Sequence, residues 1–326
     1  MPMAEYTLRQ LDYFVAVADA GSISGAAAKL RVTPTAVASA LTELERILRT
    51  QLVVRRKAHG VSLTPTGVYL RKRAEVLLRD AEELRLMTAS GGTELAGPLA
   101  LGCYVTVSPT IVPLLLRWTA EHHPKVEMSV VARSQREITE MLFAGALDLA
   151  IVYDMGLPDG LESVLLYTVW PYVLLPADHR LAGAASVRLD ELADEPLILL
   201  DLPPAAQHTL RVFGEAGVTP RVSQRTTDFE LTRSLVARGL GYSVVVQRPA
   251  VDRSYEGLPL AALQIDPAVT GVGVRMVWPT GVRLTDRSQA LVSFAAEQAR
   301  FTDYRHRAGA AHRTAAGTPR AVGAVA

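Results

Sequence analysis

Residues 21–41, GSISGAAAKLRVTPTAVASAL, decide the fold of the N-terminal region. Gly21 stops a preceding helix, because only glycine enters the left-handed region without cost. Ser24 caps a short helix, Gly25 to Leu30, whose run of alanines lets another helix approach closely. Arg31-Val32-Thr33 makes a tight turn. Thr33 caps the next helix, with Pro34 at its first position, where a missing N–H costs nothing. Val37, Leu41, Leu44 and Leu48 supply that helix with a buried stripe. Upstream, Thr7-x-x-Gln10 reads as a capping box, and Leu8, Leu11, Phe14, Val15 and Ala18 follow at helical spacing. Two short helices, a three-residue turn and a third helix make a helix-turn-helix.

Working outward, Leu52–Val54 and Val61–Leu63 read as two short strands. Between them lies Arg55-Arg56-Lys57-Ala58-His59-Gly60, a basic hairpin tip or wing. Formal net charge is only +1 over 326 residues, but it is unevenly spread. Met1 to Arg73 carries eleven Lys and Arg against five Asp and Glu, and Arg46 to Arg73 has eight basic residues and no acidic one. Such a local block is the electrostatic footprint that phosphates attract.

Thr64-Pro65 opens a helix that runs to about Thr88, roughly 36 Å at 1.5 Å per residue. Leu70, Ala74, Leu77, Ala81 and Leu84 recur at steps of four and three, the spacing of a coiled-coil seam. Two readings fit: a seam satisfied within the chain, or pairing with a second copy. The second is favoured, since a seam beside a DNA-binding unit sets half-site spacing.

From Gly97 strands and helices alternate, which predicts an α/β region with largely parallel strands. Expected strands are Leu99–Cys103, Val126–Ala132, Leu147–Val152, Tyr172–Leu175, Pro196–Asp201, Arg221–Thr226, Tyr242–Val246 and Val272–Trp278. Expected helices are Pro109–His122, Glu137–Gly145, Ala206–Ala216, Phe229–Arg238 and Ser288–Arg300, the last returning to the first lobe. Beyond Phe301 the chain is rich in Ala, Arg and Gly without apolar period and reads as a disordered tail. Leu95–Leu116 is uncharged and long enough for a bilayer, but its prolines and glycines favour a buried strand, a turn and a helix start. The lone Cys103 excludes a disulfide within the chain and suits a reducing cytosol; at a strand end it reads as a buried structural thiol. The N-terminus has neither a basic nor an apolar leader region, so a cytoplasmic location is expected.

Several stretches occur in a shared order and spacing. They are Leu8-Arg-Gln-Leu-Asp-Tyr-Phe-Val-Ala-Val-Ala, Gly21-Ser-Ile-Ser-Gly-Ala-Ala-Ala-Lys-Leu, Leu44-Glu45 and Val61-Ser-Leu-Thr-Pro-Thr-Gly67. They continue through Gly97-Pro-Leu-Ala-Leu-Gly, Val112-Pro113, His123-Pro124, Gly145-Ala-Leu-Asp-Leu-Ala-Ile151, Asp178-His-Arg-Leu-Ala182 and Leu235-Val-Ala-Arg-Gly-Leu-Gly241. Over about residues 4 to 300 the chain resembles the LysR-type transcriptional regulator family. The resemblance implies a winged helix-turn-helix (1–64), a linker and dimerisation helix (65–92), and a two-lobed α/β effector domain (93–300) like type 2 periplasmic binding proteins, ahead of the tail (301–326). It implies chain crossings between lobes near Val169–Pro171 and Val272–Val277. Implied partners are double-stranded DNA, a second copy in a homodimer or homotetramer, a small-molecule effector and RNA polymerase, with no membrane and no cofactor. An organic anion is the effector class suggested by relatives.

The chain departs from that family where DNA is read. Pro34 stands where Gln is usual, and Ala38-Ser39-Ala40 where Ser, a basic residue and Gln or His are usual. Bidentate reading of guanine or adenine is unavailable from such a face. Thr33, Pro34, Thr35, Ser39 and Thr42 are left as DNA-facing candidates. Arg55, Arg56, Lys57 and His59 of the wing, with DNA shape, take more of the specificity.

Ligands of open sheets bind beyond the carboxyl ends of strands, where helix N-termini suit carboxylates. That rule selects Val105, Thr106 and Ser108, then Ser134 and Gln135, then Leu202 to Ala205 with Leu202 and Pro203 foremost, then Thr227 to Phe229. The family's effector contacts match Thr106 and Gln135. Thr227-x-x-Glu230 also reads as a capping box, so Thr227 either starts a helix or touches ligand. Arg133 and Arg136 read as solvated surface cations. An enzyme is not expected: there is no G-x-S-x-G, no Gly-rich phosphate loop, and His122-His123 sits at a helix end without metal-ligand spacing. A solute-binding transport protein would not carry the first ninety residues, and a purely architectural DNA-binding protein would not need the α/β region.

Overall fold

The computed structural model describes residues 5–56, 60–89 and 95–301. Helices α1 (Leu8–Ala20), α2 (Ile23–Leu30) and α3 (Pro34–Leu48) are followed by strands β1 (Val53–Arg56) and β2 (Gly60–Leu63), then by helix α4 (Pro65–Ala89). The capping box at α1 is formed: Gln10 N donates to Thr7 Oγ1 at 3.2 Å, and Thr7 N donates to Gln10 Oε1 at 2.7 Å. Gly21 ends α1 at φ 62. The cap of α2 is Ser22 and not Ser24, with Gly25 N donating to Ser22 Oγ at 3.1 Å. Once Gly21 has turned the chain, Ser22 is already extended and takes the cap, so α2 gains Ile23 and Ser24. Thr33 caps α3 as expected, accepting from Ala36 N at 3.3 Å.

These helices bury Phe14, Val17, Ala26, Ala27, Val37, Leu41 and Leu44 in one core with Leu52 of the wing. Ala26 and Ala27 are fully enclosed, which is why α2 has no larger residue there. Glu45 holds the start of the wing, its Oε1 accepting from Leu52 N at 2.7 Å and Val53 N at 3.1 Å. A Cβ on Gly67 would stand 2.1 Å from the Leu52 carbonyl oxygen, so only glycine lets α4 start against β1. The expected seam on α4 is partly consumed by this domain: Ala74 is buried in its core, and Leu70 and Leu78 pack against it. Leu77 remains 44% exposed.

The α/β region comprises β3 (Ala96–Tyr104), α5 (Ser108–His122), β4 (Lys125–Arg133), α6 (Gln135–Phe143), β5 (Leu149–Tyr153), β6 (Leu161–Val169), β7 (Tyr172–Pro176), β8 (Ser186–Val187), β9 (Pro196–Leu200), α7 (Ala205–Glu215), β10 (Arg221–Thr226), α8 (Phe229–Ala237), β11 (Ser243–Val245), β12 (Leu260–Ile265), β13 (Val272–Pro279) and α9 (Asp286–Phe301). A five-stranded sheet has the order β4-β3-β5-β13-β6, a four-stranded sheet β11-β7-β12-β8, and β9 pairs with β10.

The expectation of largely parallel strands needs correction. The pairs β3–β5, β9–β10 and β12–β8 are parallel, but β13 runs antiparallel to β5 and β6, and β7 is antiparallel to β11 and β12. β13 returns to the five-stranded sheet from β12 through residues 266–271 without the crossover helix that parallel neighbours need, and only Trp170 and Pro171 separate β6 from β7 where the chain leaves that sheet. The first crossing lies where expected. The return crossing occupies 266–271, just ahead of the expected Val272–Val277, because β13 is already a strand of the five-stranded sheet.

Leu95–Leu116 resolves into β3, a turn and the start of α5, and no helix among the described residues is long and apolar enough to cross a membrane. The final helix α9 packs against β6, as expected for a return to the first sheet. Gly241 (φ 148) has a structural reason in the Leu235–Gly241 motif: a Cβ there would lie 2.2 Å from the Pro196 carbonyl oxygen, where the chain crosses β9. Apart from Phe301, the expected tail of 301–326 lies outside the described residues.

Candidate DNA-reading face and effector cavity

On α3 the apolar stripe is turned inward, which leaves Pro34, Thr35, Ser39 and Thr42 exposed together with the cap Thr33. The face therefore offers hydroxyls and methyls. The nearest charges on the helix are spent on each other: Arg46 donates from Nε and Nη2 to both oxygens of Glu43, at 2.8 and 2.6 Å. The hydrogen bonds lower the Glu43 carboxyl below its usual range and raise the Arg46 guanidinium. Arg31, which sequence reading treated only as part of a turn, is exposed beside this face in the left-handed conformation (φ 55). Arg55 and Arg56 lie in β1, paired in register with Val61 and Gly60. Lys57 and His59 lie outside the described residues. Of the seam residues, Ala74 is buried, Leu70 packs on the same core, Leu77 is exposed, Ala81 is half-buried and Leu84 falls within α4.

In the α/β region a cavity is lined by Thr106 after β3, Tyr153 at the end of β5, Leu200 at the end of β9, Ala205, His208 and Thr209 of α7, Phe229 of α8, and Val244–Gln247 around β11. Its free space is about 10 Å³, room for about one water. Most of these groups sit at strand ends or near helix starts, as the rule for open sheets leads one to expect, while Val244 lies in the middle of β11.

Of the expected contacts, Thr106, Ala205 and Phe229 line the cavity. Gln135 is buried but committed elsewhere: Tyr153 N donates to its Oε1 at 3.0 Å and its Nε2 donates to the Met155 carbonyl at 2.7 Å. It positions the Tyr153 segment. Val105, Ser108, Ser134, Leu202, Pro203 and Thr227 are not among the lining residues. Ser134 caps α6 through Glu137, with Oγ donating to Oε2 at 2.6 Å. Thr227 is exposed, and the capping box expected there is absent. Asp228 caps α8, accepting from Leu231 N at 2.6 Å, while Glu230 turns to Arg233.

Tyr153, His208, Thr209 and Gln247 were missed. Tyr153 lies one residue beyond the expected strand end, and α7 presents its inward face, His208 and Thr209, in addition to its first residue, Ala205. The Tyr153 hydroxyl is 3.4 Å from both Thr106 Oγ1 and Gln247 Oε1, and burial pushes its pKa up. Gln247 Nε2 donates to Thr110 Oγ1 at 3.1 Å, and Thr209 Oγ1 donates to the Val244 carbonyl at 3.1 Å. Cys103 is fully buried beside this site, and desolvation pushes its thiol up to about 12.

Residues 8–68 match the family described as bacterial regulatory helix-turn-helix protein, lysR family, and residues 92–300 match the LysR substrate binding domain. The chain belongs to the LysR family. It is 32% identical over 80% of its length to a protein of Mycobacterium avium named probable hydrogen peroxide-inducible genes activator, and covers 85% of that protein. It is 30% identical over 87% of its length to the HTH-type transcriptional regulator TtuA of Agrobacterium vitis, covering 95% of it. Among solved structures, HinK, a LysR family transcriptional regulator from Pseudomonas aeruginosa, superposes with a TM-score of 0.62 at 32% identity, over 91% of this chain and all of that one. This LysR-type protein is thus a DNA-binding transcription regulator with a C-terminal effector-binding domain. The face on α3 and the cavity beneath β11 are the natural candidates for its two activities.

Proposed function

We propose that this regulator reads DNA weakly through Thr33, Pro34, Thr35, Ser39 and Thr42 and more strongly through its basic wing, and that a small molecule in the Thr106–Tyr153–Gln247 cavity sets its DNA affinity. The division into a winged domain (1–64), a linker helix (65–92) and an effector domain (93–300) follows the same reading. So do pairing of two copies through what α4 leaves exposed, action in the cytoplasm, contact with RNA polymerase, and a cleft that binds without catalysing. One observation carries it: a buried, largely apolar cavity bordered by Thr106, Tyr153, His208 and Gln247 in a sensing fold, in a chain whose N-terminal helices bury their apolar stripe and expose a hydroxyl-bearing face. The test is DNA affinity of the full chain in the presence of pools of small metabolites. Coupling of about 1–3 kcal/mol, or 5–150-fold, is expected from one pool. No response to any pool would contradict effector control.

Relatives named for peroxide induction raise the question of a thiol sensor. The single Cys103 has no second cysteine to close a disulfide within the chain, and burial keeps it protonated and unreactive at neutral pH. Peroxide is therefore expected to leave DNA affinity unchanged, and iodoacetamide to label Cys103 only after unfolding. Rapid labelling of the native protein would contradict this.

A further inference from the structure

Arg31 and Arg49 are the residues other than glycine, among the described ones, that hold a positive φ, at 55 and 51. They end helices in the same way. Arg31 N donates to the Ala28 carbonyl and Val32 N to the Ala27 carbonyl at the end of α2; Arg49 N donates to the Arg46 carbonyl and Thr50 N to the Glu45 carbonyl at the end of α3. Glycine usually fills that left-handed place, because a Cβ there crowds the following carbonyl oxygen. Arginine therefore carries a steric cost that the turn itself does not call for. Both side chains are exposed, and neither guanidinium has a partner among the described residues. The cations inside α2 and α3, by contrast, are paired: Lys29 Nζ lies 3.4 Å from Asp19, and Arg46 Nη2 lies 2.6 Å from Glu43. A cation that ends a helix also meets the negative end of the helix dipole, which is a sufficient role for either residue taken alone.

Position separates the two. In a helix-turn-helix the first helix crosses the sugar-phosphate backbone, and the second enters the major groove by its N-terminal residues. Arg31 sits on the turn between them, two residues ahead of the cap Thr33 and beside the exposed Pro34 and Thr35. The hydrogen bonds of that turn fix where its side chain leaves the backbone. Arg49 lies beyond the other end of α3, a helix of 15 residues. That places it about 22 Å further along the axis. Since Pro34 to Thr42 carries no charge, the start of α3 has no cation of its own with which to hold a phosphate.

Resting on the reading that the exposed face of α3 meets DNA, we infer that Arg31 is a phosphate-binding residue. Its guanidinium donates to the oxygens of a DNA phosphate at the wall of the groove that α3 enters, and so fixes the register of a helix that cannot fix its own. Arg31 positions the helix and reads no base. Arg49, in the same kind of turn at the far end of α3, makes no such contact.

The test is fluorescence anisotropy of labelled duplexes with the full chain and its variants over a series of salt concentrations. Arg31→Gly is expected to lower affinity roughly tenfold near 0.1 M salt, and the slope of log affinity against log salt by about one, equally on an upstream and a scrambled duplex. Its urea midpoint, followed by far-ultraviolet circular dichroism, is expected to equal or exceed that of the parent, because glycine relieves the backbone. Arg31→Lys is expected to keep most of the slope, and Arg49→Gly all of it. Thr35→Glu puts a carboxylate on the face itself and is expected to cost at least tenfold in affinity. An unchanged slope in Arg31→Gly, a loss as large in Arg31→Lys or Arg49→Gly, or a loss confined to the upstream duplex would overturn the inference. So would a lowered midpoint in Arg31→Gly, which would assign the charge to the end of α2. If Thr35→Glu is still weakened, such a result leaves the reading of α3 standing; parent-like binding by Thr35→Glu would overturn that reading and the inference together.

Discussion

Arg233→Met is expected to lower the stability of the effector domain by about 3 kcal/mol, the low end of the cost of breaking a buried ion pair. Arg233 is 1% exposed. Its Nε donates to Glu230 Oε2 at 2.9 Å, and its Nη2 donates to the carbonyls of Val251 and Arg253. Glu230 also accepts from Tyr255 N. One guanidinium thus holds α8 against the chain that leads to β12. Methionine fills much of the volume but leaves two carbonyls without their donor. Glu230, 38% exposed, can return to water, which keeps the cost at the low end. The urea midpoint followed by tryptophan fluorescence measures this directly, since Trp118, Trp170 and Trp278 all lie beyond residue 92. A midpoint equal to that of the parent would show that water or neighbouring groups satisfy those carbonyls.

The second large effect is expected at the wing. Replacing Arg55 and Arg56 together by alanine should lower the slope of log affinity against log salt by about two, and affinity by roughly tenfold per residue near 0.1 M salt. The reason is the poverty of α3. With Arg46 bound to Glu43 and only hydroxyls on its exposed face, α3 itself offers few cations to displace counterions. The loss should be the same on specific and scrambled duplexes if the wing touches phosphates, and larger on the specific one if it reads base edges. An unchanged slope would remove the wing from DNA recognition.

The winged domain was legible in the sequence because its signals are local. Thr7, Gly21, Thr33 and Thr64 act within one helical turn, and the Val37–Leu41–Leu44 stripe needs no distant partner to be seen. Ser22 was misread because Ser22 and Ser24 are equivalent as caps until the turn at Gly21 is built. In the α/β region the helices and most strands were legible from their apolar runs. Strand direction was not, since it depends on whether two residues or a helix join one sheet to the next. β6 and β12 were passed over although turn residues flank them, Pro158-Asp159-Gly160 before β6 and Gly257 and Pro259 before β12; both take their partners from far along the chain.

The cavity was half legible. Strand-end logic found Thr106, Ala205 and Phe229, whose places follow from chain order alone. His208 and Gln247 escaped because their roles come from tertiary packing: one from the inward face of α7, the other from the exit of β11. Gln135 was placed correctly in the fold, but its amide is taken up by the backbone at Tyr153 and Met155, a pairing no spacing reveals.

The central claim is that this chain reads DNA and does so with a helix whose Pro34 to Thr42 stretch carries no charge. It is tested most directly by binding of the full protein to the DNA upstream of its own gene, against a scrambled duplex, at several salt concentrations. Tighter binding to the upstream duplex, with affinity falling steeply as salt rises, is the predicted result. No binding to either duplex at low salt would contradict it.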